Sequence, residues 1–183
     1  DWVLNLDADE VFSQELRDEI DATLAAPNLN ANLILIPWLT YFMGRPLRRG
    51  RYSTPQGKLF NKEGAKFQDS QVHETLIMNE KRTKVLKSSL VHHSWRSYAH
   101  AQEKHLKYAN FIAQQKYDKG KRANGISFAV IRFFVDFLQQ YIIRGGILDG
   151  SQGFLMALVL GQYAFHKYAA LWDLTLKEQA EGL

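Results

Sequence analysis

The chain has 183 residues, 46% of them hydrophobic and 13% aromatic, which suits one folded domain with a sizeable core and excludes a disordered chain. Its formal net charge of +4 favours anionic partners such as nucleotides, phosphorylated glycans or an acidic membrane surface, and is too weak to indicate nucleic acid. There is no cysteine, so disulfides and thiolate metal sites are excluded, which fits a cytoplasmic protein.

The first half of the sequence predicts strands and one helix. Residues 2–6 form an apolar run that is typical of a buried strand, so we expect that a preceding part of the protein is missing. Ser13 is placed to cap a helix that runs to about residue 26. The later predictions are a strand at 33–42, a long loop at 44–57, and short strands at 58–61, 72–78 and 84–91.

The second half of the sequence predicts helices. One begins at Ser97 and ends before Gly120, and a second covers about 126–143. Gly145 and Gly146 break the pattern before a last helix that starts near Gly153 and passes Trp172. The predicted organisation is therefore an α/β region at 1–95 and a mostly α-helical region at 96–183.

Two acidic residues, separated by one residue, follow the first predicted strand. Residues i and i+2 of an extended chain share one side, so Asp7 and Asp9 would bring two carboxylates together while Glu10 points the other way. Two close negative charges favour a cation between them, and a divalent cation accepts oxygen ligands. The alternative is an ordinary pair of turn or capping acids.

A basic stretch without any acid lies between Asp21 and Glu63. Together with nearby aromatic side chains it suits a phosphate group or an anionic sugar acceptor, because arginine holds charged oxygens and aromatic faces stack on sugar rings. The alternative is a solvated basic loop. Its cationic residues are Arg45, Arg48, Arg49, Arg51, Lys58 and Lys62.

Three further features allow more than one interpretation. Glu74, in Val72-His73-Glu74, could act as a general base or be a surface carboxylate. His92 could complete a metal site with Asp9 or be a core histidine. The aromatic-rich helix at 126–143 predicts either a helical subdomain packed on the core or shallow attachment to a membrane surface.

The order and spacing of these segments resemble glycosyltransferase family 2. The resemblance is strongest to the bacterial branch that adds hexoses or heptoses to the inner core of lipopolysaccharide. No single segment is specific, but the joint order covers nearly the whole chain. The segments are Trp2 to Glu10, Phe42-Met43-Gly44-Arg45, Lys58-Leu59-Phe60, Val72-His73-Glu74, Leu90-Val91-His92, Lys107-Tyr108, Arg144 to Gly150, and Lys167-Tyr168.

The resemblance implies the C-terminal portion of a GT-A (Rossmann-like) glycosyltransferase domain, followed by a helical appendage. It implies inverting transfer of a hexose from a nucleotide-diphospho-sugar, with UDP-glucose as the first expectation, to a lipopolysaccharide core or similar lipid-linked glycan. The expected location is the cytoplasm, with peripheral contact at the cytoplasmic face of the inner membrane.

The resemblance also implies residue roles. Asp9 would bind Mg²⁺ or Mn²⁺ with His92 as a further ligand, and Asp7 would contact the donor. Arg45 and Lys58 would contact the donor as well. Lys58 replaces the arginine that is usual in the family, and its ammonium cannot make the two parallel hydrogen bonds that a guanidinium makes to a phosphate.

Glu74 would take the proton of the acceptor hydroxyl. The first βα units of the family, which bind the nucleotide base, are absent, so we expect these 183 residues to be inactive alone.

Two hypotheses from other classes stay open. The segment Asp7 to Val11 resembles the nucleophile motif of haloacid-dehalogenase-like phosphatases, in which Asp7 would be phosphorylated, but no adjacent acid pair follows Asp69. The second hypothesis is a non-catalytic module that binds glycan or membrane. A processive polysaccharide synthase is less favoured, because its Gln-x-x-Arg-Trp motif and spanning helices are missing.

Overall fold

The computed structural model describes residues 1–68 and 75–181. These residues divide into two compact units. The first comprises Asp1–Thr40 and Tyr52–His93, and the second comprises Tyr41–Arg51 and Ser94–Leu183. Residues 41–51, which the sequence placed with the first region, thus group with the helical part of the chain.

A mixed β-sheet is the framework of the first unit, although the residues of one of its strands, Arg45–Leu47, group with the second unit. Among the described residues its strands follow the order β1, β5, β3, β9, β2, and both β4 and β8 also pair with β3. The β3 strand is parallel to β8 and β9 and antiparallel to β5. The strands are β1 (Trp2–Leu4), β2 (Glu10–Val11), β3 (Leu33–Phe42), β4 (Arg45–Leu47), β5 (Pro55–Asn61), β8 (Thr83–Val85) and β9 (Leu90–His92), and β6 (Ala65–Gln68) pairs separately with β7 (Thr75–Met78).

One helix, α1 (Gln14–Leu24), covers the core of this unit. It begins where the Leu16 amide donates to Ser13 Oγ at 3.2 Å, which satisfies one of the free amides of the first turn. Leu16 and Ile20 are spaced by four residues and so share one buried face. That face packs on a core completed by Ile34, Ile36, Leu59, Leu86 and Leu90.

The second unit is helical. Its helices are α2 (Tyr98–Asp118), α3 (Ser127–Leu138) and α4 (Gly150–Glu181), with a π-helical segment at Gln139–Ile143 and a 3-10 turn at Gly146–Asp149. Close packing of α3 on α4 depends on Gly161, since a Cβ there would lie 3.1 Å from the Phe133 ring. Within the described residues no single helix has the length and hydropathy of a membrane span, whereas the pair Ser127–Ile143 and Gly146–Glu181, bent by 71°, meets both criteria together.

The predicted fold class is confirmed: an α/β region with a curled mixed sheet is followed by a helical region, which is compatible with part of a Rossmann-like domain. The predicted strand at 33–42 is confirmed in full as β3. The helix starts at Ser13 and Ser97 are confirmed by side-chain caps, and the α2 helix ends before Gly120.

Other boundaries were wrong. The first strand ends at Leu4 and is only partly buried. It lies at one end of the described sheet, where Val3 is 37% exposed while Trp2 and Leu4 pack on the core. The predicted loop at 44–57 contains β4 and the start of β5. Met43 and Gly44, with φ of 50° and 76°, lie between β3 and β4 and have the left-handed backbone of a tight hairpin turn. The predicted strand at 84–91 is two strands, β8 and β9.

Candidate functional site

The acidic segment after β1 is a turn and not an extended strand. The Glu10 amide donates to the Asp7 carbonyl at 3.0 Å, and the Asp7 amide donates to Glu10 Oε2 at 2.8 Å. The alternation expected of a strand therefore does not apply. We predicted that Asp7 and Asp9 point to one side because they lie two residues apart in a strand. The premise was wrong, because this segment is not a strand.

Glu10 is the buried centre of this turn. Its side chain has no solvent exposure, and its Oε1 accepts from Trp38 Nε1 at 2.7 Å and lies 2.8 Å from Lys58 Nζ. We expected Glu10 to point away and to have a lesser role, and this was wrong. The turn directs its carboxylate inward, where two donors from β3 and β5 compensate the cost of burying a charge.

Lys58 bridges two carboxylates. Its ammonium lies 2.7 Å from Asp7 Oδ2 as well as 2.8 Å from Glu10 Oε1, and only 9% of its side chain is exposed. It also lies 5.5 Å from the centre of the Trp38 ring. A lysine in this position neutralises the charge of Asp7 and Glu10 and holds the turn against β5.

Asp9 faces a different partner. Its Oδ1 lies 3.4 Å from Nε2 of His92, and the His93 amide donates to the Asp9 carbonyl at 2.9 Å. Antiparallel pairing of β2 with β9 sets Glu10 opposite His92, which brings the preceding turn to the imidazole. The His92 ring is buried and packs at 4.5 Å against the ring of Trp38. The structure thus brings together the two residues that the resemblance assigned to a metal.

Asp9 and His92 suit two ligands of one Mg²⁺ or Mn²⁺ ion. Their facing atoms are close enough for one ion to contact both, and a carboxylate oxygen with an imidazole nitrogen is an acceptable donor set for Mn²⁺. Asp9 is 38% exposed, so diphosphate oxygens and water could supply the remaining ligands, which is usual for Mg²⁺. Within 1–68 and 75–181 no group of three or more acidic, histidine or cysteine side chains is arranged to hold a metal.

The two remaining predicted site residues are Arg45 and Glu74. Arg45 is exposed at the start of β4, in the second unit. Glu74, the predicted general base, lies outside the described residues, so its role stays a prediction.

Sequence reasoning missed the structural role of Trp38. Its indole contacts three members of the site, Glu10, Lys58 and His92. One signal was available, since a tryptophan within an apolar strand needs an acceptor for its N–H when it is buried. The sequence contains no indication that the acceptor is 28 residues away in Glu10.

Comparison with known proteins identifies relatives of this chain. It is 30% identical over 191 residues to an uncharacterized glycosyltransferase of Rickettsia prowazekii, and the match covers 98% of this chain and 64% of the relative. A counterpart in Rickettsia typhi is 29% identical with the same coverage, and one in Rickettsia bellii is 29% identical over 97% of this chain and 63% of the relative. The chain spans somewhat less than two thirds of the length of these curated relatives. No family model and no solved structure matches it.

Proposed function

We propose that this chain is the metal- and acceptor-binding part of an inverting glycosyltransferase of family 2 with a GT-A fold. The observation that carries the proposal is the similarity, along 98% of the chain, to proteins named glycosyltransferases. The contact between Asp9 and His92 supports it, because two potential metal ligands from distant parts of the sequence meet at 3.4 Å.

The donor would be a nucleotide-diphospho-sugar, with UDP-glucose as the first choice and galactose or heptose donors next. Asp9 and His92 would hold Mg²⁺ or Mn²⁺, which when bound neutralises the negative charge that develops on the leaving diphosphate. Asp7, beside Lys58, would contact the donor sugar or ribose. Lys58 would act on the donor mainly by positioning Asp7, since its ammonium already bridges two carboxylates.

The transfer itself needs one base. The acceptor hydroxyl oxygen bonds to the anomeric carbon while the bond from that carbon to the diphosphate oxygen breaks, which inverts the configuration. Glu74 would accept the hydroxyl proton, and Arg45 would contact phosphate on the donor. We propose a lipid-linked or core oligosaccharide as the acceptor and the cytoplasmic face of the inner membrane as the location.

The test is release of nucleoside diphosphate by the full-length protein. It is assayed with a panel of nucleotide sugars and an acceptor extract, in Mn²⁺, in Mg²⁺ and after chelation. We expect metal-dependent release from one donor, loss of that release in Asp9→Asn, and a higher Mn²⁺ requirement in His92→Gln. Asp21→Asn, an exposed acid on α1, is the matched control and should behave as wild type.

Two results would count against the proposal. Release that Asp9→Asn leaves intact would remove the assigned metal site, and binding of glycan without turnover by any donor would indicate a non-catalytic module. The 183-residue chain alone is expected to show no turnover, and activity of that chain would refute this part of the proposal. The names of the relatives do not favour the phosphatase interpretation of Asp7.

A further inference from the structure

The helical unit exposes a continuous apolar surface along α3. Residues three or four positions apart on a helix lie on one side, and in this helix and the π-helical segment after it such a series is apolar and exposed. We call this series the α3 stripe. It consists of Phe128, Ile131, Phe134, Val135, Leu138 and Ile142.

The polar residues of α3 are mostly on the other side. Arg132 Nη2 lies 2.7 Å from Asp136 Oδ2, and both side chains are partly buried. Gln140 is 3% exposed, and its Oε1 accepts from the Arg51 amide at 3.0 Å. A helix that faces water shows the opposite arrangement, with charges outward and apolar residues inward. The outward face of α3 is therefore suited to an apolar environment.

The stripe continues into the turn between α3 and α4. Ile143 is 79% exposed and Leu148 is 71% exposed, with Ile147 between them also exposed. Ile143 and Leu148 bury little of their surface within the unit. They are placed to enter an apolar layer together with the stripe.

Arginines surround this turn. The amides of Arg48 and Arg49 donate to the two carboxylate oxygens of Asp149 at 3.2 and 2.9 Å, and the Gly50 amide donates to the Arg144 carbonyl at 3.2 Å. These bonds hold the 48–50 loop against the turn. Arg48, Arg49 and Arg144 are exposed, and the Arg49 stem lies beside Gly145 next to Leu148.

The charge of this surface is net positive. Arg132 and Asp136 neutralise each other, and the charges of Arg48, Arg49 and Arg144 outweigh the single charge of Asp149. An apolar face bordered by arginines complements a bilayer that carries anionic headgroups. A twofold dimer centred on the turn would set the arginines of the two copies close together, which the charge disfavours.

We propose that the α3 stripe and the arginines of the adjoining turn bind in the plane of an anionic bilayer. The stripe and the side chains of Ile143 and Leu148 enter the boundary between headgroups and acyl chains, and the arginines bind lipid phosphates. The inference assigns a surface to the membrane contact proposed above. It does not depend on transferase activity, because lipid binding requires neither donor nor metal.

The test is flotation of the full chain with vesicles of phosphatidylcholine alone and with 30% phosphatidylglycerol. We expect binding to the anionic vesicles, which salt weakens. The double variant Ile131→Gln with Leu138→Gln should no longer bind these vesicles. The control double variant Val11→Gln with Val85→Gln changes two exposed residues of the first unit and should still bind them. The double variant Arg48→Gln with Arg49→Gln should weaken binding to the anionic vesicles roughly 25-fold, about fivefold for each arginine. The control double variant Arg17→Gln with Lys62→Gln should leave this binding unchanged.

Thermal melting followed by circular dichroism shows whether each variant remains folded. Absence of binding to anionic vesicles would overturn the proposal, as would binding that the stripe variants leave unchanged. Self-association abolished by Ile131→Gln with Leu138→Gln would assign the stripe to a second copy instead. Protein that resists carbonate extraction would show insertion through the bent helix pair and not in-plane binding. Loss of flotation with retained nucleoside diphosphate release would leave the proposed activity standing.

Discussion

Lys58 places its ammonium 2.8 Å from the carboxylate of Glu10, a side chain with no solvent exposure. This pair divides the acidic segment into two parts. Asp7 joins Glu10 on the lysine, while Asp9 is left to face His92. The first cluster supports the turn, and the second contains the two side chains that we propose as metal ligands.

Replacement of Lys58 by methionine should destabilise the first unit strongly. It leaves the Glu10 carboxylate buried without its cation, and loss of one partner of a buried ion pair costs about 3–5 kcal/mol. Asp7 contributes little to this figure because its side chain is 57% exposed. Urea unfolding followed by tryptophan fluorescence measures the change in the free energy of unfolding.

Lys62→Met, at an exposed lysine close in sequence, is the control and should change stability very little. The double variant Lys58→Met with Glu10→Gln should recover much of the loss, because no buried unpaired charge is left and the glutamine oxygen can still accept from Trp38. A Lys58→Met variant as stable as wild type would mean that the bridge contributes nothing.

Acid should destabilise the helical unit through His105. Burial lowers the pKa of His105 below its usual value of 6.5. A hydrogen bond to the Ala101 carbonyl raises the pKa, while the positive charges of Lys104 and Arg51 lower it. The unfolded chain therefore binds a proton at a pH where the folded chain does not. The free energy of unfolding should fall as the pH drops from about 6.5 toward the lowered pKa, by up to about 1.4 kcal/mol per pH unit.

Urea midpoints between pH 7.5 and pH 5 in wild type and His105→Gln measure this slope. The variant should be less stable at neutral pH, because the imidazole packs on Trp95 and Tyr163, but its stability should depend less on pH. His93→Gln, at an exposed histidine, controls for general effects of removing an imidazole. Equal slopes in wild type and His105→Gln would contradict the prediction.

Gly153→Ala should destabilise the start of α4. A Cβ at this position would overlap the carbonyl oxygen of Gly146 and lie 2.9 Å from its carbonyl carbon. The obstacle is backbone, so it cannot turn aside as a flexible side chain would. We expect a loss of about 1–3 kcal/mol, although alanine is the better helix former by about 1 kcal/mol.

Ser151→Ala, exposed in the first turn of the same helix, should be neutral or slightly stabilising and serves as the control. The measurement is the melting temperature of each of the two variants relative to wild type. A higher melting temperature for Gly153→Ala would show that the contact between the 3-10 turn and α4 is not as close as the structure has it.

Asp149→Ala should release the 48–50 loop. The carboxylate accepts from the amides of Arg48 and Arg49, and the variant would lose both hydrogen bonds. Limited trypsin digestion should therefore cut after Arg48 or Arg49 several times faster than in wild type, while the global melting temperature changes little. Asp173→Ala removes an exposed partner of Lys177 and is the control, which should leave the rate of cleavage unchanged. An unchanged rate of cleavage in Asp149→Ala would mean that other contacts hold the loop.

Local signals determined much of the secondary structure. Ser13 and Ser97 mark helix starts because a hydroxyl that accepts an early amide acts within one turn of chain, and the strand at 33–42 follows from its own apolar and β-branched residues. The resemblance also paired Asp9 with His92, which the structure brings to 3.4 Å. Their role as metal ligands stays a prediction.

Tertiary structure alone decided which carboxylate meets which cation. Lys58 is 51 residues from Asp7 in sequence, and no local pattern indicates that pairing of β1 with β5 brings them to 2.7 Å. The same holds for the inward direction of Glu10, which depends on a turn where alternation predicted a strand. It holds also for the outward direction of the α3 stripe, because periodicity separates a helix into two faces but only the packing of α4 selects the one that is buried.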